Sequence, residues 1–572
     1  ATFDLRAGEV RLTAEGRFEN YGRLTHDAAT PALLAGVHLD NFGRLEVDSG
    51  QLDLRGASTH FGVVRIASGA TLRFGNGAVY SLPTDGVRHF FAPSSRLEGA
   101  GNLVVWEAAV HFAGPVDATG LIQFESSRGS ITFAGVTRLR RGLNLAGEFS
   151  NPFVGNRRGN DVTFSGLSAQ IDQPVVMGTN SALTFDQAVP TQLTELDAGQ
   201  GSRVQGKGAF SVLGKSRLDS ASLFGSGPAR FVGPTEFANL TVQGPNAPAA
   251  PKVVEFDGET STKGTHFFRQ TLLRVGTHGT LALKGGEAWR RNSNPGLVQM
   301  ENLGLARHSG SGTTSFDFGF VNRGQFEVLG GEIVFPVGNG FIQEAGVTTL
   351  RSGTLKAEPI VRGGVFRLES GQLTGALTFF DGQLEFPPNA TLPVELRVSG
   401  GILDLPESTL TVGLIRHTNG MLRLNGGTLG SLGYAGQNPA VLTGHGTFDT
   451  RGGGSGEVRP GSPLGILEFT GSYSLDNGSR FVAEIGGLTP GTGFDQLRTS
   501  DLSVSSSATL DLRLVGGFSP PLGAEFPIIV VTNGRRAPRA FGTVEGLAIG
   551  TGKRFEVVYE VAGVKLRVVA AP

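Results

Sequence analysis

The chain of 572 residues contains no cysteine, which removes disulfides, thiolate metal ligands and cysteine nucleophiles together. It has 2 Trp and 5 Tyr against 39 Phe. Phe is the aromatic that buries without needing a partner for a polar atom, so this balance points to core and away from the exposed Trp and Tyr of a base-stacking surface. Neither sign of charge dominates: 49 Lys and Arg stand against 50 Asp and Glu. The two signs are interspersed, which argues against a nucleic-acid partner. No apolar run approaches the roughly eighteen residues of a membrane span. Helical periodicity is nearly missing too, because Gly or Pro interrupts most candidate stretches before three turns are complete.

Glycine is abundant, at 88 residues, about twice the ordinary share. It lacks the every-third-residue period of collagen and falls between short apolar runs, where φ > 0 corners are needed. The phrase Asn41-Phe-Gly-Arg-Leu-Glu-Val-Asp-Ser-Gly-Gln-Leu-Asp-Leu54 returns as Asn322-Arg-Gly-Gln-Phe-Glu-Val-Leu-Gly-Gly-Glu-Ile-Val-Phe335. Shorter echoes run through Val365–Leu373, Leu396–Leu405 and Met421–Gly427. Repetition of this kind marks stacked supersecondary units rather than one globular core.

The unit reads apolar-x-apolar, a glycine corner, then apolar-x-apolar, as in Leu45, Val47, Gly50, Leu52 and Leu54. Two folds use such a unit. A Ser49-Gly50 hairpin would set Val47 against Leu52 and Leu45 against Leu54 in an antiparallel meander. Alternatively Gly50 is a corner within one coil of a solenoid. Spacing favours the second: Gly50 and Gly69 are 19 apart, and Gly353, Gly371, Gly382, Gly401 and Gly420 step by 18, 11, 19 and 19. The expected fold is therefore all-β, a right-handed parallel β-helix. About twenty coils at one strand spacing each would span on the order of 100 Å. Asn20, Asn41 and Asn322 each precede a Gly by two residues; they read either as a stacked ladder between coils or as solitary turn residues.

The solenoid is expected over residues 1–450, with loop insertions near 244–251 and 285–296, followed by a β-rich module at 451–572 beyond the glycine run Arg451–Gly456. The second loop carries Trp289, Arg290 and Arg291, residue types enriched at binding hot spots, and is the expected contact loop. Arg138–Arg141, Arg157-Arg158 and Arg535–Arg539 are further basic clusters that read as solvated loop charge, or as contacts to an acidic glycan or to a neighbouring subunit's carboxylates. The strand-like termini look like open edges available to another copy. Phe3 and Leu5 at one end, and Val564, Leu566 and Val568 at the other, are the expected assembly residues.

The module carries Glu457-Val-Arg-Pro-Gly-Ser-Pro-Leu-Gly-Ile-Leu, then Phe494-Asp-Gln-Leu497, and closes on Val564-Lys-Leu-Arg-Val568. This order resembles the end region of bacterial autotransporter passengers, and the upstream repeat resembles the same class of passenger or filamentous-haemagglutinin-like β-helix. The resemblance implies surface exposure with adhesive or structural work and supplies no catalytic residue. The translocating barrel of such passengers does not follow before Pro572. Together with a start at Ala1, this reads as an exported, mature bacterial surface protein.

The expected function is structural or adhesive, by head-to-tail self-assembly into an extracellular fibre. The alternatives are a monomeric adhesin for a surface glycan and a β-helical polysaccharide lyase or hydrolase. For the enzyme, Gly444-His445-Gly446 is the one matching tripeptide, and no Asp-Asp pair accompanies it. No His-x-His or His-x-x-x-His pair supports a metal, so neither metal nor cofactor is expected.

Overall fold

The computed structural model describes residues 2–5, 8–75, 88–125, 128–145, 159–246, 249–292, 296–405, 407–550 and 552–572; of Thr2, 8–15 and Pro393 it describes the backbone alone. The chain is all-β, a β-solenoid of about 21 turns of stacked parallel coils. It divides into two compact units, 1–306 and 307–572.

In the first unit a coil is three short strands separated by corners. Ala109–Phe112, Val116–Ala118 and Ile122–Phe124 form one coil, and Ser130–Phe133, Thr137–Leu139 and Leu143–Asn144 the next. Each strand pairs in parallel with its counterpart one coil on, with Val110 opposite Ile131, Val116 opposite Thr137 and Ile122 opposite Leu143. Period-2 alternation then points every second side chain inward, and in-register stacking places like residues on like. The meander is excluded where it was most plausible: Leu45 lies opposite Leu24 and Val64, while Leu52 lies opposite Ala32 and Leu72. Gly50 is a corner with φ of 62°.

The corners explain why glycine recurs after Asn20-Tyr21, Asn41-Phe42 and His60-Phe61. At Gly43 an added Cβ would sit 2.0 Å from the Gly22 carbonyl oxygen, and at Gly62 it would sit 2.0 Å from that of Gly43. Only glycine fits where successive corners touch. The buried Asn20 amide donates to Asn41 Oδ1 at 2.7 Å, and Asn41 donates to the Val63 carbonyl at 3.1 Å. In the second unit Asn322 donates to Gln343 Oε1 at 2.9 Å. The ladder reading of these asparagines holds, and it satisfies backbone and side-chain groups that the corner buries.

Phenylalanines fill the first unit's interior as a column. Phe91, Phe112, Phe133, Phe164, Phe185, Phe210, Phe231 and Phe256 follow one another with centroids 4.3 to 6.0 Å apart. Their sequence signature is a recurring Phe-x-Gly, as at Phe112, Phe133, Phe164, Phe231 and Phe256. In it the strand ends on the ring and the glycine turns the corner.

The second unit stacks likewise, with long continuous strands Ala390–Leu405 and Thr409–Gly430 running through their corners in parallel, the register shifting between Leu392 and Glu395 and around Ser399. Parallel pairing continues across the boundary expected at 450: Val441–Asp449 pairs with both Glu457–Pro460 and Ile466–Phe469. The pattern changes at Lys553–Glu560 and Gly563–Ala570, which form an antiparallel hairpin. Its second strand also pairs antiparallel with Glu525–Val531.

Replacing Phe164 by Ala removes a ring from the middle of the column. Denaturant unfolding of Phe164→Ala is expected to show a loss of about 3–5 kcal/mol, with Phe164→Leu costing distinctly less.

Candidate functional site

Of the expected contact residues, Trp289 is not presented to a partner. Ala288–Arg291 is a strand, Trp289 lies opposite His266 on the previous coil, and its side chain is fully buried. The indole stacks on Phe268 at 5.4 Å and meets Phe237 edge-on at 5.8 Å. A ring of this size in an inward position contributes more to the core than it could in a loop. Arg290 and Arg291 are exposed. The insertion expected at 285–296 is thus a turn, a strand and a following connection whose residues 293–295 lie outside the described residues.

The terminal residues also separate. Phe3 is half exposed on the strand Thr2–Asp4, whereas Leu5 is buried. Val564, Leu566 and Val568 are at most 1% exposed. Their strand is hydrogen-bonded on both sides, by Lys553–Glu560 and by Glu525–Val531, so it offers no open edge. The expectation of an adhesive C-terminal edge is corrected accordingly: an antiparallel return closes that strand, as protected edges require.

Of the three basic clusters, the first is partly absorbed by charge pairing between coils. Arg138 pairs with Asp172 at 2.8 Å and Arg140 with Asp117 at 2.6 Å. Arg157 and Arg158 lie outside the described residues. Arg535, Arg536 and Arg539 sit exposed on the segment after Glu525–Val531. The fullest ladder is Arg230, Glu255, Arg274 and Glu301, opposite one another on successive coils. Their contacts are 3.2, 3.6 and 2.9 Å. Where like charges fall opposite each other, a group of the other sign joins them. Glu46 joins Arg23 and Arg44, Glu395 joins Arg397 and Arg416, and Arg480 joins Asp511 and Glu545. This follows from Coulomb's law at one strand spacing, where an unbridged like pair is unfavourable.

Two surface features escaped the sequence reading. Tyr21, Phe42 and Phe61 occupy the same corner of three successive coils, with centroids 4.8 Å apart and planes within 5°. All three are solvent-exposed, Tyr21 at 71%. The aromatic-Gly pair repeated in Asn20-Tyr21-Gly22, Asn41-Phe42-Gly43 and His60-Phe61-Gly62 was the signal for this rail. The second feature is a groove of about 1000 Å³ across the first unit's outer face, lined by Arg217, Glu236, Asn239, Ser261, Lys263 and Lys284 among others.

Buried titratable groups serve the fold. The Ser58 hydroxyl lies 2.9 Å from His60 Nε2 and 2.8 Å from His89 Nδ1. Burial drives both imidazoles down to about 3, and His266 and His417 down to about 4. In the second unit the two motif phrases meet. Asp495, from Phe494-Asp-Gln, accepts the Gly465 and Glu484 amides at 3.0 Å each. Burial pushes its carboxyl up to about 8 against the pull of those donors. Asp495 is therefore a clamp between coils. Exposed His445 lies on the strand Val441–Asp449, opposite Asn425. Among the described residues no group of three or more His, Cys, Asp or Glu is placed to hold a metal ion. No helix there is long and apolar enough to cross a membrane. No family model matches the chain, and no curated protein matches it in sequence.

A lowered histidine value means that the unfolded chain binds more protons between the two values. The histidines' share of stability is then complete above about pH 6.5 and falls as pH drops below it, while the raised Asp495 works the other way between about pH 4 and 8. The histidine share is therefore read as a difference: between pH 7.5 and 4 the Tm of His266→Phe is expected to fall less, or rise more, than that of the parent chain. Asp495→Asn leaves one backbone N–H without its acceptor and is expected to cost about 1–3 kcal/mol in denaturant unfolding of the full chain.

Proposed function

We propose that this chain is an exported bacterial surface protein whose solenoid coils serve adhesion, with a surface glycan as partner. The observation that carries this reading is the aromatic rail. Three parallel, stacked rings are held in solvent at one corner of consecutive coils. An exposed apolar feature built by a repeat, with glycine corners shaped to stack it, marks a contact surface. The ring centroids are 4.8 Å apart, one strand spacing, so the corner repeats an exposed aromatic on each of three coils. Such a rail offers apolar surface to a sugar ring.

The head-to-tail fibre is the second reading. It needs an open strand edge at each end, and the closed strand Gly563–Ala570 counts against the C-terminal one. Thr2–Asp4 pairs with Arg23–Asp27 on one side. The lyase or hydrolase reading would draw on Asp219 and Glu236 in the first unit's groove.

Sedimentation velocity across a concentration series, run beside attachment of protein-coated beads to a mucin surface, separates these. The adhesive reading predicts a single slow species at every concentration, and bead attachment that falls at least fivefold for the combined Tyr21→Ala, Phe42→Ala and Phe61→Ala variant. Concentration-dependent filaments would restore the fibre reading, and attachment indifferent to the variant would remove the rail from it.

A further inference from the structure

On strands of the second unit, Arg480 and Arg513 each pair with Asp511 at 2.7 Å, and Arg567 pairs with Glu525 at 2.8 Å. Arg535, Arg536 and Arg539 are held differently. They lie in the connection between the strands Glu525–Val531 and Thr543–Glu545, and all three are exposed. Among the described residues none of the three makes an ion pair or a hydrogen bond. The main chain is as bare as the side chains. Asn533 donates its amide to the Ser500 carbonyl at 2.9 Å, and Phe541 donates to Tyr559 Oη at 3.1 Å. Between them the backbone of residues 534–540 makes no hydrogen bond among the described residues. Its donors and acceptors are left to solvent or to another molecule. Pro538 reinforces this, because it has no N–H to give and pushes Ala537 before it towards extended geometry.

We propose that residues 534–540 are a processing site for an arginine-specific endopeptidase. Such an enzyme takes its substrate as an extended segment, through main-chain hydrogen bonds and one side chain seated in a charged pocket. A strand already paired within the sheet must open locally before it can be bound that way, whereas this segment offers a free backbone and three arginines to seat. An acidic partner would use the guanidinium heads alone and would leave the free backbone without a role. In the cut, water adds across one peptide bond after Arg535, Arg536 or Arg539. The C–N bond breaks, the arginine carbonyl carbon takes the hydroxyl and becomes a carboxylic acid, and the nitrogen takes the hydrogen and becomes an amine.

The cut falls just before the elements that close the second unit. Residues 540–572 include Thr543–Glu545, which pairs with Thr509–Leu514, and Gly563–Ala570, which pairs with Glu525–Val531. They also include Phe541, Ile549, Phe555, Val564, Leu566 and Val568, each at most 6% exposed. Strand pairing and these buried side chains hold the closing segment once the peptide bond is gone. The product is a two-chain protein whose closure is no longer covalent. This goes beyond the adhesive reading and does not rest on it, since the aromatic rail lies in the first unit.

The test is limited digestion of the full chain with trypsin, read by intact-mass spectrometry, with the urea-unfolded chain as the control that every arginine bond is cleavable. A C-terminal fragment beginning at Arg536, Ala537 or Ala540 is expected at a trypsin concentration at least tenfold below that which cuts after Arg480, Arg513 or Arg567. In size-exclusion chromatography that fragment should elute with the larger one in native buffer and apart from it in guanidinium chloride. The combined Arg535→Gln, Arg536→Gln and Arg539→Gln variant should lose the fragment and keep the parent's Tm. Absence of the fragment, its appearance no earlier than the strand cuts, or its persistence in the triple variant would overturn the site. Elution of the fragment apart from the rest in native buffer would overturn the two-chain product.

Discussion

Everything in this protein depends on parallel, in-register stacking of one coil on the next. Once a strand must lie one strand spacing from its counterpart, every position along the coil meets the same position of its neighbour. Residue choice then becomes a question about columns. Apolar columns such as Val110, Ile131, Val162 and Leu183 gain by stacking like on like. Amide columns such as Asn20 on Asn41 gain because an amide both donates and accepts. Glycine columns are forced where corners touch. Only charge loses from likeness, and the chain answers with alternating ladders or bridging groups.

That constraint separates scaffold from surface. The interior Phe column and the clamped Asp495 hold coils at fixed spacing, so whatever faces outward is repeated at that spacing. The rail of Tyr21, Phe42 and Phe61 belongs to the same geometry. It is a column with more apolar exposure than a fold requires. This departure lies where solvent or a partner, rather than the core, must supply the compensation.

The coil was legible in the sequence because corner glycines keep their spacing even when strand residues drift. The Asn-aromatic-Gly corners could be read for their asparagines, but not for the aromatic rail, since exposure depends on which neighbours stack beside a ring. Trp289 was misread because Gly285-Gly286 and Arg290-Arg291 flank it with loop-like composition. Its strand is only four residues long, and the inward neighbour two residues before it is the charged Glu287, so no apolar alternation marked it. The closing hairpin was missed for a different reason. A last strand looks like an edge until its return partner is known, although the tight Val561-Ala-Gly563 turn between two alternating runs was a hairpin signal. Charge bridging was invisible, because it joins residues one coil apart and two along, a relation that exists only once register is set.

Register is best tested by covalent capture, since a chain without cysteine accepts one introduced pair cleanly. Thr132 and Thr163 lie opposite each other on adjacent coils, with side chains outward. Parallel neighbours at strand spacing fall within disulfide reach. Oxidation of Thr132→Cys with Thr163→Cys should give an intramolecular crosslink in nearly every molecule. Thr132→Cys with Val162→Cys, one residue out of register and facing inward, should give almost none. Crosslinking in the second pair but not the first would contradict the stacked, in-register solenoid and everything derived from it.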